Sequence, residues 1–209
     1  MDYFDVHHHH TDGRTGIYNV KLHEKPPASG FFSAGLHPLE TGTITAESWQ
    51  WLKKIAAHSR CVALGECGLD GRNPETAELQ LFLFKRQIEL ASQLQKPMIL
   101  HAVKCDAQLQ QLAAKIKVPA IIHGFNRRKT VADALLDKGF YLSFGKSVLY
   151  HVHLQEVIRT IPAGRFFLET DASETDIKAI YQKVAQLRGV SVAELQEQIR
   201  QNLTIFNIH

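Results

Sequence analysis

The sequence predicts an α/β barrel of the (β/α)8, TIM-barrel-like class, shortened, with its early helices reduced or missing. Three observations predict it. Eight short apolar runs, bounded by turns or polar residues, read as strands. Amphipathic helical patterns lie between the later runs, as in a parallel sheet covered by helices. The chain has 209 residues, against roughly 250 for a typical eight-fold barrel, and the deficit can be located.

The first strand is expected over Tyr3–Val6 and the second over Ile17–Leu22. The stretch between them includes Thr11-Asp12-Gly13-Arg14-Thr15-Gly16 and leaves no room for a helix. The next connection, residues 23–30, contains Pro26-Pro27 and is also too short. After a third strand over Phe31–Leu36, Thr45 can cap a helix whose Trp49, Leu52 and Ala56 share one face. Cys61–Leu64 follows as the fourth strand. Asn73-Pro74-Glu75 then starts a helix, with Pro at its first position and an apolar face of Ala77, Leu81, Phe84, Ile88 and Ala91. Strands over Met98–Leu100, Ala120–Ile122, Phe140–Phe144 and Phe166–Leu168 alternate with helical patterns near 104–116, 128–138, 150–160 and 174–188. Ser191 and Glu194 form a capping box before a last helix lined by Leu195, Ile199 and Leu203. No linker or repeat interrupts residues 1–209, which read as a single domain.

Composition excludes several classes. At 44% hydrophobic and 22% charged, the chain is neither disordered nor fibrous. No apolar run reaches the roughly 18 residues of a membrane span, and the acidic Met1-Asp2-Tyr3-Phe4-Asp5 start is unlike a leader peptide. A net charge of +3 neither marks nor excludes a nucleic-acid partner. Three cysteines, Cys61, Cys67 and Cys105, read as free thiols in a reducing compartment, so a cytoplasmic location is expected. No base near Cys67 or Cys105 marks a nucleophile.

The unusual number is 12 His, four of them at His7-His8-His9-His10. That run follows a strand-like segment, so it is read as part of the fold and not as a purification tag. Ligand-type side chains recur where the apolar runs stop: His7 and His9, His37, Glu66, His101, His123, and Glu169 with Asp171. In a parallel barrel those ends meet at one mouth, where barrel active sites sit. Four strand ends carrying imidazole and two carrying carboxylate would form a costly buried cluster without cations, and divalent metals resolve that cost. His7 and His9, two apart on a strand, project to one side and can share a metal, whereas His8 points away. Asp5 has the same parity and is expected to orient a ligating His. Imidazole and carboxylate ligands suit Zn, Mn, Mg, Fe or Ni. Six candidate ligands exceed the needs of one open site, so two divalent ions bridged by Glu66 are expected, and no obligate protein partner.

The same residues carry a family likeness. Asp5-Val6-His7-His8-His9 resembles the D-x-H-x-H opening of the TatD-related deoxyribonucleases, metal-dependent hydrolases of the amidohydrolase-like barrel group. Gly35-Leu36-His37-Pro38 is similar to their G-x-H-P, and Gly65-Glu66-Cys67-Gly68-Leu69-Asp70 to their G-E-x-G-L-D, the most specific match. K-P-M-I-L-H at 96–101, I-I-H-G-F at 121–125, G-F-Y-L-S-F-G at 139–145 and L-E-T-D-A at 168–172 follow in the family's order. The resemblance implies metal ligands His7, His9, Glu66, His101, His123 and Asp171. Glu66 would bridge, and Asp171 would also help deprotonate the attacking water. It implies hydrolysis of phosphodiester bonds, with DNA ends among the substrates.

Two departures stand out. The family's His-Ser-Arg is here His101-Ala102-Val103, with Lys104 next, and its D-A-P-aromatic is Asp171-Ala172-Ser173-Glu174. The metal chemistry is retained while the substrate wall is altered. Lys104 can replace the missing Arg as a point charge on phosphate, Arg127 opens a basic helix start suited to an anion, and His37 either touches substrate or fixes its loop. Glu169 is a candidate acceptor behind the site, and Asp70 reads as a turn or helix-start residue. His23, His58, His151, His153 and His209 carry no pattern. The main rivals to a phosphoester hydrolase are an amidohydrolase-type C–N or ester hydrolase using the same metals, and a non-catalytic metal-binding relative.

Overall fold

The computed structural model describes residues 3–208; Met1, Asp2 and His209 lie outside the described residues. Eight parallel strands follow one another in sequence order around a nearly closed barrel. They are β1 (Asp5–His8), β2 (Gly16–Val20), β3 (Phe31–Ala34), β4 (Cys61–Asp70), β5 (Met98–Val103), β6 (Ala120–Ile122), β7 (Tyr141–Phe144) and β8 (Phe166–Leu168). The helices are α1 (Ala46–Ala56), α2 (Ala77–Leu94), α3 (Asp106–Leu112), α4 (Lys129–Asp137), α5 (Val152–Thr160), α6 (Ile177–Arg188) and α7 (Val192–Asn202). As expected, no helix joins β1 to β2 or β2 to β3.

The seam between β8 and β1 is the thin point of the barrel. It is an isolated bridge between His8 and Asp171, with His9 N–H donating to the Asp171 carbonyl at 3.2 Å and Asp171 N–H to that of His7 at 3.0 Å. The buried Asp5 carboxylate reinforces it, accepting from Thr170 N–H at 3.0 Å and Thr170 Oγ1 at 2.5 Å. Asp5 therefore braces the seam. The expectation that it orients a ligating His is corrected: both ring nitrogens of His7 lack a hydrogen-bond partner.

Only β6 and β8 keep their hydropathic outlines, because pairing, not apolarity, sets strand length: β2 and β3 end two residues earlier, β5 runs on to Val103 and β7 starts one residue later, while β1 and β4 shift in ways that bear on the site. β1 starts later and continues through His8, which registers with Tyr18 of β2. β4 runs past Leu64 to Asp70, since Gly68, Leu69 and Asp70 pair with His101, Ala102 and Val103 of β5. Gly68 permits that approach: a Cβ there would lie 2.1 Å from the His101 carbonyl oxygen. Gly35 does the same after β3, where a Cβ would meet the Glu66 carbonyl oxygen at 2.5 Å.

The caps form as read from sequence. Thr45 Oγ1 accepts from Ser48 N–H at 3.4 Å, and the Ser191–Glu194 box closes both ways. On α2 the inward face differs from the apolar spacing. Ala77 is exposed, while Gln80 and Gln87 are buried with Leu83, Phe84, Ile88 and Ala91. The glutamines are inside because they clasp strand ends. Gln87 Oε1 accepts from Leu36 N–H at 2.8 Å and its Nε2 donates to the Leu36 carbonyl at 3.1 Å. Gln80 Oε1 accepts from Asp70 N–H at 2.7 Å. Both fix backbone that carries site residues, satisfying groups that would be costly to bury unpaired.

Candidate metal centre

The strand ends of one rim deliver the polar side chains. β1 and the residue after it bring His7 and His9, the turn after β3 brings His37, and β4 brings Glu66 and Asp70. His101 comes from β5, His123 follows β6, and Glu169 and Asp171 follow β8. Glu66 sits at the middle, 5% exposed. Its two oxygens face different imidazoles. Oε2 lies 3.5 Å from His7 Nε2 and 3.6 Å from His9 Nε2. Oε1 lies 2.7 Å from His123 Nε2, 2.8 Å from His101 Nδ1 and 3.1 Å from His37 Nε2. Asp171 Oδ1 stands across from the first pair, 3.3 Å from His9 Nε2 and 3.6 Å from His7 Nε2.

Three groups of ligand atoms lie within 4.8 Å of one another: His7, His9 and Glu66; His7, His123 and Asp171; His37, Glu66 and His101. All six side chains expected as ligands are thus brought together, and His37 joins them. The fit to a divalent cation rests on the chemistry of this set. His7 is fully buried and neither of its ring nitrogens has a partner, nor has His123 Nδ1. Buried polar atoms are rarely left unmade without a function, and neutral imidazole with carboxylate is a divalent-metal donor set.

Electrostatics within the cluster favours ionised carboxylates. Burial raises the Glu66 carboxyl, but His123 and the neighbouring imidazoles outweigh it and hold the group well below its ordinary range. Burial likewise raises Asp171, and His7 and His9 overcome it in the same direction. In return, His9 is pulled down by burial but pushed up to about 9 by Asp171 and Glu66. His8, which strand alternation turns to the opposite face, is lowered to about 3 by burial and stays neutral.

A second set of groups fixes the imidazoles. Asp70 Oδ2 is 2.9 Å from His101 Nε2 and is itself gripped by Arg72, whose Nε donates to Oδ1 at 2.9 Å. Glu169, fully buried, accepts from Gly124 N–H at 2.5 Å and faces His123 Nδ1 at 3.6 Å. Asp70 ends β4 and opens the following turn, as its sequence reading has it, its carbonyl accepting from Asn73 N–H at 3.3 Å and its Oδ1 from Arg72 N–H at 3.0 Å; the contact with His101 is an added role.

The comparisons with known proteins bear on family and fold. The family model for TatD related DNase matches residues 8–206. This chain belongs to the TatD-related DNase family. A relative from Escherichia coli K12, named an uncharacterized metal-dependent hydrolase, YcfH, is 31% identical over 198 residues, covering 85% of this chain and 74% of the relative. The 3'-5' ssDNA/RNA exonuclease TatD of Pantoea vagans is 31% identical over 214 residues, covering 90% and 82%. Among solved structures, the TatD homologue YjjV of Escherichia coli K12 superposes with a TM-score of 0.82 at 19% identity, covering 97% and 96%. The TatD family hydrolase of Entamoeba histolytica gives 0.82 at 16% identity, covering 98% of each chain. These relatives and the clustered donors support use of a divalent metal.

Beside the centre, where this TatD-family chain departs from the usual pattern, a cavity of about 590 Å³ is lined by Arg72, His101, Lys104, His123, Arg127 and Asp171, among others. Lys104 is exposed there, its backbone in the left-handed region at φ 52°, and Asp171 is similar at φ 54°. Non-glycine residues occupy that region rarely, and functional sites gather them. Arg127 borders the cavity, but Asp106 engages its Nε at 2.9 Å. Arg72 is a basic wall residue that no sequence signal singled out; it sits two positions beyond the signature Asp70. Among the described residues, no helix is long and apolar enough to cross a membrane.

Proposed function

We propose that this protein hydrolyses phosphoester bonds, with DNA ends as the expected substrate, using two divalent ions held at the barrel mouth. The observation that carries the reading is the division of Glu66. One carboxylate oxygen faces His7 and His9, and the other faces His37, His101 and His123. A carboxylate flanked this way can bridge two ions. His7, His9 and Asp171 would hold one ion; His101 and His123 would hold the other. Zn, Mn, Mg, Fe or Ni all match these donors. Bound divalent cations would supply polarisation of a phosphoryl oxygen and a lowered pKa for water.

The chain's own residues do the rest. Asp171 has a half-exposed carboxylate beside the cavity and stays ionised, so it is the group assigned to orient the attacking water and take its proton. Lys104, Arg127 and His37 are assigned to the substrate, Lys104 as a point charge on phosphate. The name of the Pantoea vagans relative, a ssDNA/RNA exonuclease, supports a nucleic acid as substrate. Three free, buried thiols support the cytoplasm as the location, and residues 1–209 are proposed to act as one domain.

Elemental analysis and a substrate panel test this together. Purified protein is expected to carry close to two divalent ions per chain, and His7→Ala and Glu66→Ala to lose them. With added manganese, phosphodiesters and phosphomonoesters are expected to be cleaved and amides left intact. Cleavage of amides alone would favour the C–N hydrolase. Metal content unchanged in both variants would refute the ligand set.

A further inference from the structure

The end of the connection from β7 to α5 and the first turn of α5 carry side chains that hydrolysis leaves unused. Tyr150 and Val152, 73% and 74% exposed, are the most exposed large apolar side chains among the described residues. His151 and His153 accompany them, their rings stacked with centroids 5.3 Å apart and planes 23° apart. Both rings reach one atom, Asn126 Oδ1, each at 3.2 Å.

Asn126 ties this cluster to the active site. It lines the cavity of about 590 Å³ that contains Lys104 and a second, of about 270 Å³, that contains Lys146. Gly124, Asn126 and Asp171 border both, so the two cavities form one groove past the metal centre. Its two arms each present a lysine, and neither lysine is in an ion pair among the described residues. The groove thus offers an ammonium group in each arm and, at Asn126, the stacked His151–His153 pair, with the exposed Tyr150 next to His151 in the chain. A small phosphorylated metabolite would use the charges and not the rings. An acidic peptide has no regular flat faces to lay on the rings. A single strand of nucleic acid alternates anionic phosphate with flat bases and matches both features.

We propose that Tyr150 and His151 form a base-stacking platform for a single-stranded nucleic-acid end, with Lys104 and Lys146 anchoring its phosphates. The proposal rests on the phosphoester reading above and narrows its substrate. The hydrogen bonds to Asn126 hold the imidazoles in place before substrate arrives, which lowers the ordering cost of binding.

The test measures binding apart from turnover. A fluorescein-labelled single-stranded octanucleotide with phosphorothioate linkages is titrated with the protein in manganese, and anisotropy gives Kd. Tyr150→Ala and His151→Ala should each raise Kd about five-fold or more, the lower end of base–aromatic stacking, and Tyr150→Trp should restore it. An oligonucleotide with abasic end positions should bind the wild type weakly and be insensitive to Tyr150→Ala. Lys104→Ala and Lys146→Ala should each flatten the dependence of log Kd on log salt by about 0.7. The platform is overturned if the wild type does not bind the octanucleotide, if both aromatic variants bind within two-fold of it, or if abasic ends make no difference. Those outcomes with phosphoester turnover intact would sink the platform alone. Stacking-dependent binding with no phosphoester turnover would sustain the platform and sink the hydrolase reading.

Discussion

His101 Nε2 donates to the Asp70 carboxylate at 2.9 Å, and this contact decides which nitrogen the ring offers to the metal centre. With the proton on Nε2, the Nδ1 lone pair is left facing Glu66 Oε1 at 2.8 Å. Partners of this kind fix the tautomer and ring plane of a ligating imidazole and are worth about 10–100-fold in metal affinity or activity. Asp70→Ala should therefore weaken manganese binding or activity by about that factor. Asp70→Asn, which keeps an acceptor oxygen, should lose less. A manganese titration of both variants, with melting curves to confirm folding, checks the order.

His7 leads to a prediction about stability. It is fully buried with both ring nitrogens unpartnered, so the metal-free protein carries an unmet polar group in its barrel. A ligand that binds only the folded state at 100 times its Kd stabilises by about 2.7 kcal/mol. For a chain of this size that is about 5–10 °C in Tm. Adding manganese to chelator-stripped protein should raise Tm by this amount, and His7→Ala should abolish the rise. An equal rise in wild type and variant would remove His7 from the site.

The strand order and the convergent rim were legible because ligand-type residues interrupt otherwise apolar runs, as at His101 and His123. What stayed hidden depends on pairing and on distant partners. His37 is legible as a strand-end side chain, but its approach to Glu66, 29 positions away, is not, because it follows from the close packing at Gly35. The role of Asp70 beside His101 was obscured because apolarity ends β4 at Leu64, while the ladder with β5 carries the strand onward. Gln80 and Gln87 break the apolar stripe of α2 because their inward role is to bind backbone, which hydropathy does not register. Asp5 shares the parity of His7, yet its hydrogen bonds go to Thr170 across the seam.

The cysteines should behave as inert thiols. Burial pushes Cys61 up to about 11, with only a partial offset from Lys96, and burial and Asp106 push Cys105 up to about 11. Thiolate is the reactive form, and a rise of about two units leaves it about 100-fold scarcer. Labelling by a thiol reagent at pH 8 should accordingly be about 100-fold slower in the native protein than after unfolding. The native state also keeps these protons to higher pH than the unfolded chain. Their contribution to stability is therefore full below about pH 9 and falls as pH rises toward about 11. Urea unfolding at pH 8 and pH 10.5 should show the loss, reduced in a Cys61→Ala variant.

The seam of the barrel should be its most sensitive joint. Among the described residues, β1 closes onto the segment after β8 through an isolated bridge at His8 and Asp171, and Asp171 is itself a candidate ligand. The Asp5 carboxylate holds Thr170 through both its N–H and its hydroxyl. Asp5→Ala leaves two buried donors unmet, each costing about 1–3 kcal/mol, so a loss of about 2–6 kcal/mol is expected. Because Thr170 immediately precedes Asp171, the damage should reach the metal centre as well. Thr170→Val removes the hydroxyl contact but keeps the N–H bond, and should cost less stability and less metal affinity than Asp5→Ala. Urea unfolding paired with manganese titration would resolve the two effects. A variant that lost stability with unchanged metal affinity would show that the seam and the centre are mechanically independent.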